Sequence, residues 1–523
     1  MCTKRLGSYL LVGLLSVAGL GAAERDTRVI DAVKSGNTAT LRALLQKRAD
    51  VNTPEADGAT ALHWAVNRDN TEMVQLLIAA GANVKAANRY GITPLLLACE
   101  TGSAPTVEAL LKAGADPNGA LPEGETALMT AARAGKADVI KALVAHGGNV
   151  NAQESWHSQT ALMWAASENH PDAIKMLTEL SADVNLRSDG GFTPIMFAAR
   201  AGKIEAVEAL LKAGANANDT LKPKPTAQAT AAPYNNGVNA NATANAGGGS
   251  RRSDGPDGTS ALVLAITNAH YELAKYLVEH GADPNLAGQG WTALHQLAYT
   301  RRPNHGKGLP PPESIDNLDS LELAKVLLEH GANPNLRQTK EVSDGQRNNL
   351  NRLGSTPLLL AAKHADAPFM RLLAANGADP KITTDEHASV LMAAAGVGLF
   401  NMGESAGTNE EALEAVKVAY EIGSSDINTA DDNGWTALHG AALRGSNEIV
   451  QFLAEKGTQF EIKSKREGWT PLRIADGVHY TGTVKRADHT AELIRKLMVE
   501  RGLTPEEKSA NDVAEVEQPV RQR

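Results

Sequence analysis

The sequence predicts an all-α solenoid, a row of short helix pairs each stacked on the next. Three observations predict it. One six-residue phrase returns at a nearly constant interval, a second phrase closes most of those intervals, and the apolar residues are of a kind that packs helices rather than sheets. Apolar residues make up 42% of the 523 positions but aromatics only 4%. The core is therefore left mostly to Ala and Leu, which suit closely packed short helices. A chain of this length also exceeds what a single hydrophobic core supports, so several domains or a repeat array are required.

The first phrase reads Thr-Ala-Leu-His-Trp-Ala at Thr60–Ala65, Thr-Pro-Leu-Leu-Leu-Ala at Thr93–Ala98 and Thr-Ala-Leu-Met-Thr-Ala at Thr126–Ala131. It returns at Thr160–Ala165 and Thr193–Ala198, so the threonines are spaced by 33, 33, 34 and 33 residues. Later copies begin at Ser260, Thr292, Thr356, Ser389, Thr436 and Thr470, and a degenerate first copy from Asp26 to Asn52 brings the total to twelve. The closing phrase is Gly114-Ala-Asp-Pro-Asn118, repeated at Gly281–Asn285 and, with Asn for Asp, at Gly331–Asn335.

The residues explain the pattern. Thr supplies a helix N-cap and Pro suits the first turn. Leu95, Ala98 and Cys99 share one helical face at i, i+3, i+4. Gly102 breaks that helix, a second one follows with Val107, Leu110 and Leu111 inward, and Gly114 is placed for a left-handed C-cap. Asp-Pro-Asn then turns outward. Each unit has an apolar face that only its neighbours can cover.

Both phrases, at this period and in fixed phase, resemble the ankyrin repeat. The resemblance covers residues 26–502. It implies about twelve helix-turn-helix repeats with β-hairpin fingers, and a concave binding face lined by finger tips and first helices. It implies a scaffold that holds a partner protein rather than an enzyme.

On that frame the chain divides into a signal peptide at 1–23, repeats 1–6 at 24–221, a low-complexity linker at 222–256, repeats 7–12 at 257–502 and a polar tail at 503–523. The signal is read from Lys4 and Arg5, the apolar run Leu10 to Leu20, and Gly21 and Ala23, with cleavage after Ala23. The run is short for a stable membrane anchor. The location expected is periplasmic or secreted. The linker is rich in Ala, Asn, Thr, Gly and Pro and should be disordered. Neither copy beside it has a polar capping face, so the stack should continue past it while the linker loops out; two arrays on a tether are the alternative.

Net charge is −9, which opposes a nucleic-acid partner. Cys2 falls in the signal, leaving Cys99 alone, so no intramolecular disulfide or cysteine metal site is expected. No cofactor or metal is expected and no catalytic motif is present. Gly288–Ala293 imitates a dinucleotide fingerprint but follows a turn, not a buried strand. His63, His295 and His439 hold the fourth place of the phrase, where the resemblance implies a bond to turn backbone. His146, His280 and His330 precede C-cap glycines and should bond the last helix carbonyls.

The candidate protein-binding residues are Tyr90, Trp156, Phe192, Trp291, Arg301, Arg302, Trp435 and Trp469. The aromatics fall on tips implied by the resemblance, where exposed rings make interface anchors; packing between fingers is the competing reading. Trp64 and Trp164 lie inside the phrase and read as packing residues. The second half carries four insertions, near Tyr299–Ser320, Gln338–Asn351, Gly396–Asn409 and Gly477–Asp488. Arg301, Arg302, His305, Lys307, Lys340, Arg347, Arg352, Lys485 and Arg486 make them basic, which suggests an anionic partner surface.

The function expected is an exported, monomeric scaffold or adaptor for an unidentified protein, with no stable membrane anchor after cleavage. One alternative is a secreted effector engaging host proteins. A remote one is an enzyme whose site is built from the C-terminal insertions, with His305, His479 or His489 as acid/base.

Overall fold

The computed structural model describes residues 26–222, 257–302, 316–341, 350–399, 407–424, 426–480 and 483–506. The signal segment, the linker from residue 223, the tail from residue 507, and the loop residues His305, Lys307, Pro310 to Pro312 and Arg347 lie outside the described residues. The described residues divide into two compact units, with the boundary between Ala152 and Gln153.

Among the described residues there are twenty-four helices in twelve pairs and one two-stranded sheet. The third pair shows how each is made. Thr93 is extended, its Oγ1 accepts the Leu96 N–H at 3.3 Å, and Pro94 opens α5 (Pro94–Thr101). Gly102 ends it in the left-handed region at φ +80°, where L side chains are disfavoured. Leu95, Ala98 and Cys99 are buried on one face, and α6 (Ala104–Lys112) buries Thr106, Val107, Leu110 and Leu111. First helices stack on first helices: α5 lies between α3 (Ala61–Asn67) and α7 (Ala127–Arg133). Second helices form the other layer, with α6 between α4 (Thr71–Ala79) and α8 (Ala137–Ala145). The core is the seam between the layers.

In the second unit the first helices form one unbroken row from α9 (Ala161–Ser167) to α23 (Pro471–Asp476). The row includes α11 (Pro194–Ala201) packed on α13 (Ala261–Thr267), on either side of the undescribed residues 223–256. The finger there is closed at its base. Leu221 N–H bonds the Thr259 carbonyl at 2.8 Å, Gly258 N–H bonds the Leu221 carbonyl at 2.9 Å, and Thr220 bridges Ser260.

The fingers are turns joined by single main-chain bonds rather than paired strands. Arg89 N–H reaches the Asp57 carbonyl, and in the second unit Asp189 reaches His157, Thr339 reaches Gly290, Asp385 reaches Leu353 and Lys465 reaches Asn433, each at 2.8 Å. Strands occur instead in the insertion before α24 (Asp488–Glu500), where β1 (Val478–Tyr480) pairs antiparallel with β2 (Thr483–Lys485).

The closing Asn has a role beyond turning the chain. Asn118 donates from Nδ2 to the Gly147 carbonyl at 3.0 Å, and its Oδ1 accepts the Asn149 N–H at 2.8 Å. It thus hooks the left-handed cap of the next repeat. Asn52 hooks Gly81 and Asn83 in the same way. In the second unit Asn285 hooks Gly331 and Asn333, Asn335 hooks Gly377 and Asp379, and Asn428 hooks Gly457 and Gln459. Asn218 hooks Gly281 and Asp283 across the undescribed interval.

Asn335→Ala should lower stability by about 1–2 kcal/mol, the scale of two exposed hydrogen bonds. Lys85 stands where Asn stands in other copies, so Lys85→Asn should form the missing hook to Gly114 and raise stability by roughly 1 kcal/mol. Urea denaturation of each variant measures both.

Candidate protein-binding surface

The histidines of the phrase are structural clamps. His63 Nδ1 accepts the Thr60 N–H at 3.1 Å, which leaves the ring proton on Nε2 to be donated to the Ile92 carbonyl of the next finger at 3.1 Å. His295 reaches the Ser355 carbonyl at 3.0 Å and His439 the Trp469 carbonyl at 3.1 Å by the same arrangement. Burial holds the pKa of His295 and His439 down to about 4, and lowers that of His63 as well. In other copies a methionine takes this place: Met129 and Met163 accept the Thr N–H on sulfur at 3.4 Å. Of the histidines before C-cap glycines, His280 and His330 bond the Tyr276 and Val326 carbonyls at 2.7 and 2.9 Å. His146 instead turns its ring to Glu108, at 3.3 Å. Burial in apolar surroundings raises the Cys99 thiol pKa and keeps it neutral.

The candidate tip residues separate into two groups. Trp156 is 71% exposed and lies flat against His157, with ring centroids 5.0 Å apart. Tyr90 is 37% exposed under the Arg89 guanidinium, which stands 4.7 Å over its ring. Phe192, Trp291 and Trp435 are buried, so the exposed anchors expected at these places do not exist. Each immediately precedes an N-cap Thr, and a large apolar side chain there folds back on the first turns of the helix as a hydrophobic staple. Phe192 meets Phe197 at 5.4 Å, Trp291 bonds Gln296 Oε1 through Nε1 at 2.9 Å, and Trp435 lies 5.7 Å from the His439 ring. Trp469, also in that position, is half-buried.

Three of the basic residues, Arg301, Arg302 and Arg352, are paired at the roots of the insertions. Arg301, at the end of α15 (Ala293–Arg301), pairs through Nε with Asp366 Oδ2 at 2.6 Å and through Nη2 with Oδ1 at 3.1 Å. Asp366 is nearly inaccessible, and it also caps α18 (Ala367–Ala375). Arg302 bonds the Ala365 carbonyl at 3.2 Å and Glu411 at 3.0 Å. Arg352 is buried against Glu341 at 3.0 Å, closing the base of the loop between them. These cations staple the roots of the insertions instead of presenting charge to an anionic partner. Of the histidines of the enzymatic alternative, His489 is solvent-exposed on α24 beside Glu492 at 3.9 Å.

The inner-helix face is partly exposed in several of the earlier copies, although Thr130, Phe197 and Leu264 at the same place are buried. In the first unit Trp64 and Leu97 are half-buried, and Asn67, Arg68, Glu100 and Thr101 are exposed. Trp64 donates from Nε1 to Glu55 at 2.7 Å, with Lys34 4.2 Å over its ring. In the second unit Trp164, Ser167 and Arg200 are half-buried and Thr267 is exposed. Arg200 lies 4.8 Å over Phe192 and 5.2 Å over Phe197. Farther along, the equivalent Leu360, Ala393, Gly440 and Leu443 are all buried. Among the described residues no cluster of His, Cys, Asp and Glu could hold a metal ion, and no helix is long and apolar enough to cross a membrane.

A family model described as ankyrin repeats in three copies matches residues 29–121, 119–188, 159–221, 181–285, 228–338 and 405–485, and a single-repeat model matches 353–385. The chain belongs to the ankyrin-repeat family. As an ankyrin-repeat protein it carries a protein–protein interaction domain, on a fold that serves as a non-enzymatic scaffold. It is 25% identical over 230 residues to the human transient receptor potential cation channel subfamily A member 1, covering 44% of this chain and 17% of the channel. It is 48% identical over 46 residues to the Notch-regulated ankyrin repeat-containing protein of Xenopus tropicalis, covering 9% of this chain and 40% of that protein. The chain thus spans less than half the length of these relatives. The crystal structure of the human ASB11 ankyrin repeat domain aligns with a TM-score of 0.34 at 27% identity, covering 36% of this chain and 85% of that one.

Trp156→Ala should change stability by no more than about 0.5 kcal/mol, whereas Trp291→Ala should destabilise by roughly 3–5 kcal/mol; chemical denaturation separates the two. The buried histidines also make stability pH-dependent. Their folded pKa lies below the ordinary 6.5, so the unfolded chain takes up protons first. Stability is full above about pH 6.5 and falls as pH drops towards 4, by up to about 1.4 kcal/mol per pH unit for each ring. His295→Met, the residue other copies use there, should remove one such increment from the slope of stability against pH.

Proposed function

We propose that this protein is an exported ankyrin scaffold that holds a partner protein on the inner-helix face and exposed finger tips of its earlier repeats. The observation that carries the surface is the 71% exposure of Trp156, a large ring stacked on one side by His157 and otherwise open, on a chain whose other tip aromatics are largely folded inward. Large amphipathic rings of this kind supply binding energy when a partner desolvates them. Half-buried Trp164 and the Arg200 guanidinium extend the second unit's surface, and Tyr90 with Arg89 marks the first unit's. Export is supported by Lys4 and Arg5, the apolar run that follows and the small residues through Ala23. A periplasmic or secreted adaptor, acting as a monomer, fits these features together.

A crosslinking pull-down from envelope extract, with the full-length protein as bait, tests the reading. A Tyr90→Ala, Trp156→Ala double variant should keep its fold by circular dichroism and weaken capture of a specific partner by at least tenfold, or about 1.4 kcal/mol. Equal capture by both proteins removes these tips from the interface. Export predicts that the protein recovered outside the cytoplasm begins at Glu24 by intact mass; recovery of the whole chain, starting at Met1, in the cytoplasm alone overturns it.

A further inference from the structure

Glycine inside a helix is disfavoured by about 1 kcal/mol relative to alanine. Gly440 nevertheless lies in the middle of α21 (Ala437–Arg444), where other copies carry Trp64, Leu97, Trp164, Phe197 or Leu264. The structure shows what occupies that space. A Cβ on Gly440 would lie 2.5 Å from Val397 N and 2.9 Å from Gly396 C. A Cβ on Gly396 would lie 3.0 Å from Gly440 O and 3.3 Å from the Arg444 Cβ. On the other side a Cβ on Gly398 would lie 2.5 Å from Leu350 N and 2.7 Å from its Cα. The stretch Gly396–Leu399, which leaves the end of α19 (Val390–Ala395), therefore runs at main-chain distance between α21 and the chain entering repeat 9.

The stretch is ordered by its own bonds and by burial. Val397 N–H bonds the Met392 carbonyl at 3.0 Å and Leu399 N–H the Gly396 carbonyl at 3.2 Å. Gly396 and Gly398 have φ of +113° and +81°, so a side chain at either is strained as well as crowded. Val397 and Leu350 are buried, and so are Leu360, Ala393 and Leu443 of the first helices. A run of three small or β-branched residues, Gly-Val-Gly, thus meets a helix that has dropped its own side chain to receive it.

We propose that Gly396–Leu399 is a resident ligand of the inner-helix face of repeats 10 and 11, a peptide docked in cis over Gly440 that closes this part of the face to partners. This goes beyond the scaffold reading and does not depend on it. It makes the face here a peptide-docking groove whose occupant is main chain with two aliphatic side chains, Val397 and Leu399.

The experiment uses the full chain and no partner. Gly440→Ala places a methyl group in the groove. Hydrogen exchange at the Val397 and Leu399 amides should accelerate at least about tenfold, and fluorescence of the apolar dye ANS should rise as the buried Val397 and Leu350 side chains are exposed. Exchange in α5 and α6 of the first unit should be unchanged, which distinguishes local release from unfolding. Unchanged exchange at Val397 and Leu399 overturns the proposal, whatever happens to the midpoint of unfolding. Should Gly440→Ala fail to fold, Val397→Ala, which removes two carbon atoms and alters no helix, must show the same local acceleration; its absence is equally fatal.

Discussion

Everything in this molecule depends on an apolar face that no repeat can cover alone. Most of its helices have seven to nine residues, below the length at which an isolated helix is stable in water. A pair becomes stable only when the next pair lies on it, so stability accumulates interface by interface. Packing alone does not fix how one pair sits on the next. Two polar clamps do. At the finger end, His63, His295 and His439 donate to a carbonyl of the following finger. At the same end, beside the second helices, the closing Asn holds the following C-cap through both atoms of its amide. Each clamp spans the interface, and each satisfies backbone groups that helix ends and turns leave open.

The fold was legible because its signal is periodic. Thr at the N-cap, Gly at the C-cap and the apolar triplet at i, i+3, i+4 are local rules, and the period repeats them often enough to number the helix pairs. The candidate site was less legible because its signals are pairwise and distant. Nothing in the neighbourhood of Arg301 names Asp366 as its partner, and the same is true of Arg302 and Glu411. Read alone they look like free cations. The tip aromatics failed for a different reason. Position before an N-cap is itself a packing signal, and the staple rule would have assigned Phe192, Trp291 and Trp435 to the interior. Trp156, which stands four residues before its Thr, escapes that rule and is exposed. Gly440 departs from the large residues at its place in several other copies, but the reason lies in the chain that crosses it.

The charge balance changes meaning once these pairs are seen. The basic insertions looked like an island on an acidic chain. With Arg301, Arg302 and Arg352 each joined to a carboxylate, the loops gain geometry rather than field. Of the three only Arg301–Asp366 is largely buried on both sides, and in such a pair the cost of desolvation offsets much of the attraction. The Arg301–Asp366 pair ties a helix end of one repeat to the N-cap of the next, so the loop that departs there leaves from a fixed point. On the proposed reading, binding and loop anchoring fall to different stretches: Trp64, Leu97 and Trp164 stay half-buried on the inner helices of earlier repeats, while Leu360, Gly440 and Leu443 are buried in later ones.

The finger closed by Leu221, Gly258 and Thr259 has a further consequence. Its hydrogen bonds, the Asn218 hook and the packing of α11 on α13 bring residues 221 and 258 together without help from anything between them. The entropy of joining the two ends is thus met by the repeats themselves, and it grows only slowly with the length of what is inserted. The second unit's row of first helices is in effect a rail with a socket in it. Sequence can lengthen, shorten or be exchanged at that socket over evolutionary time while the helices on both sides keep their register, so this position can acquire new cargo without the scaffold having to be rebuilt.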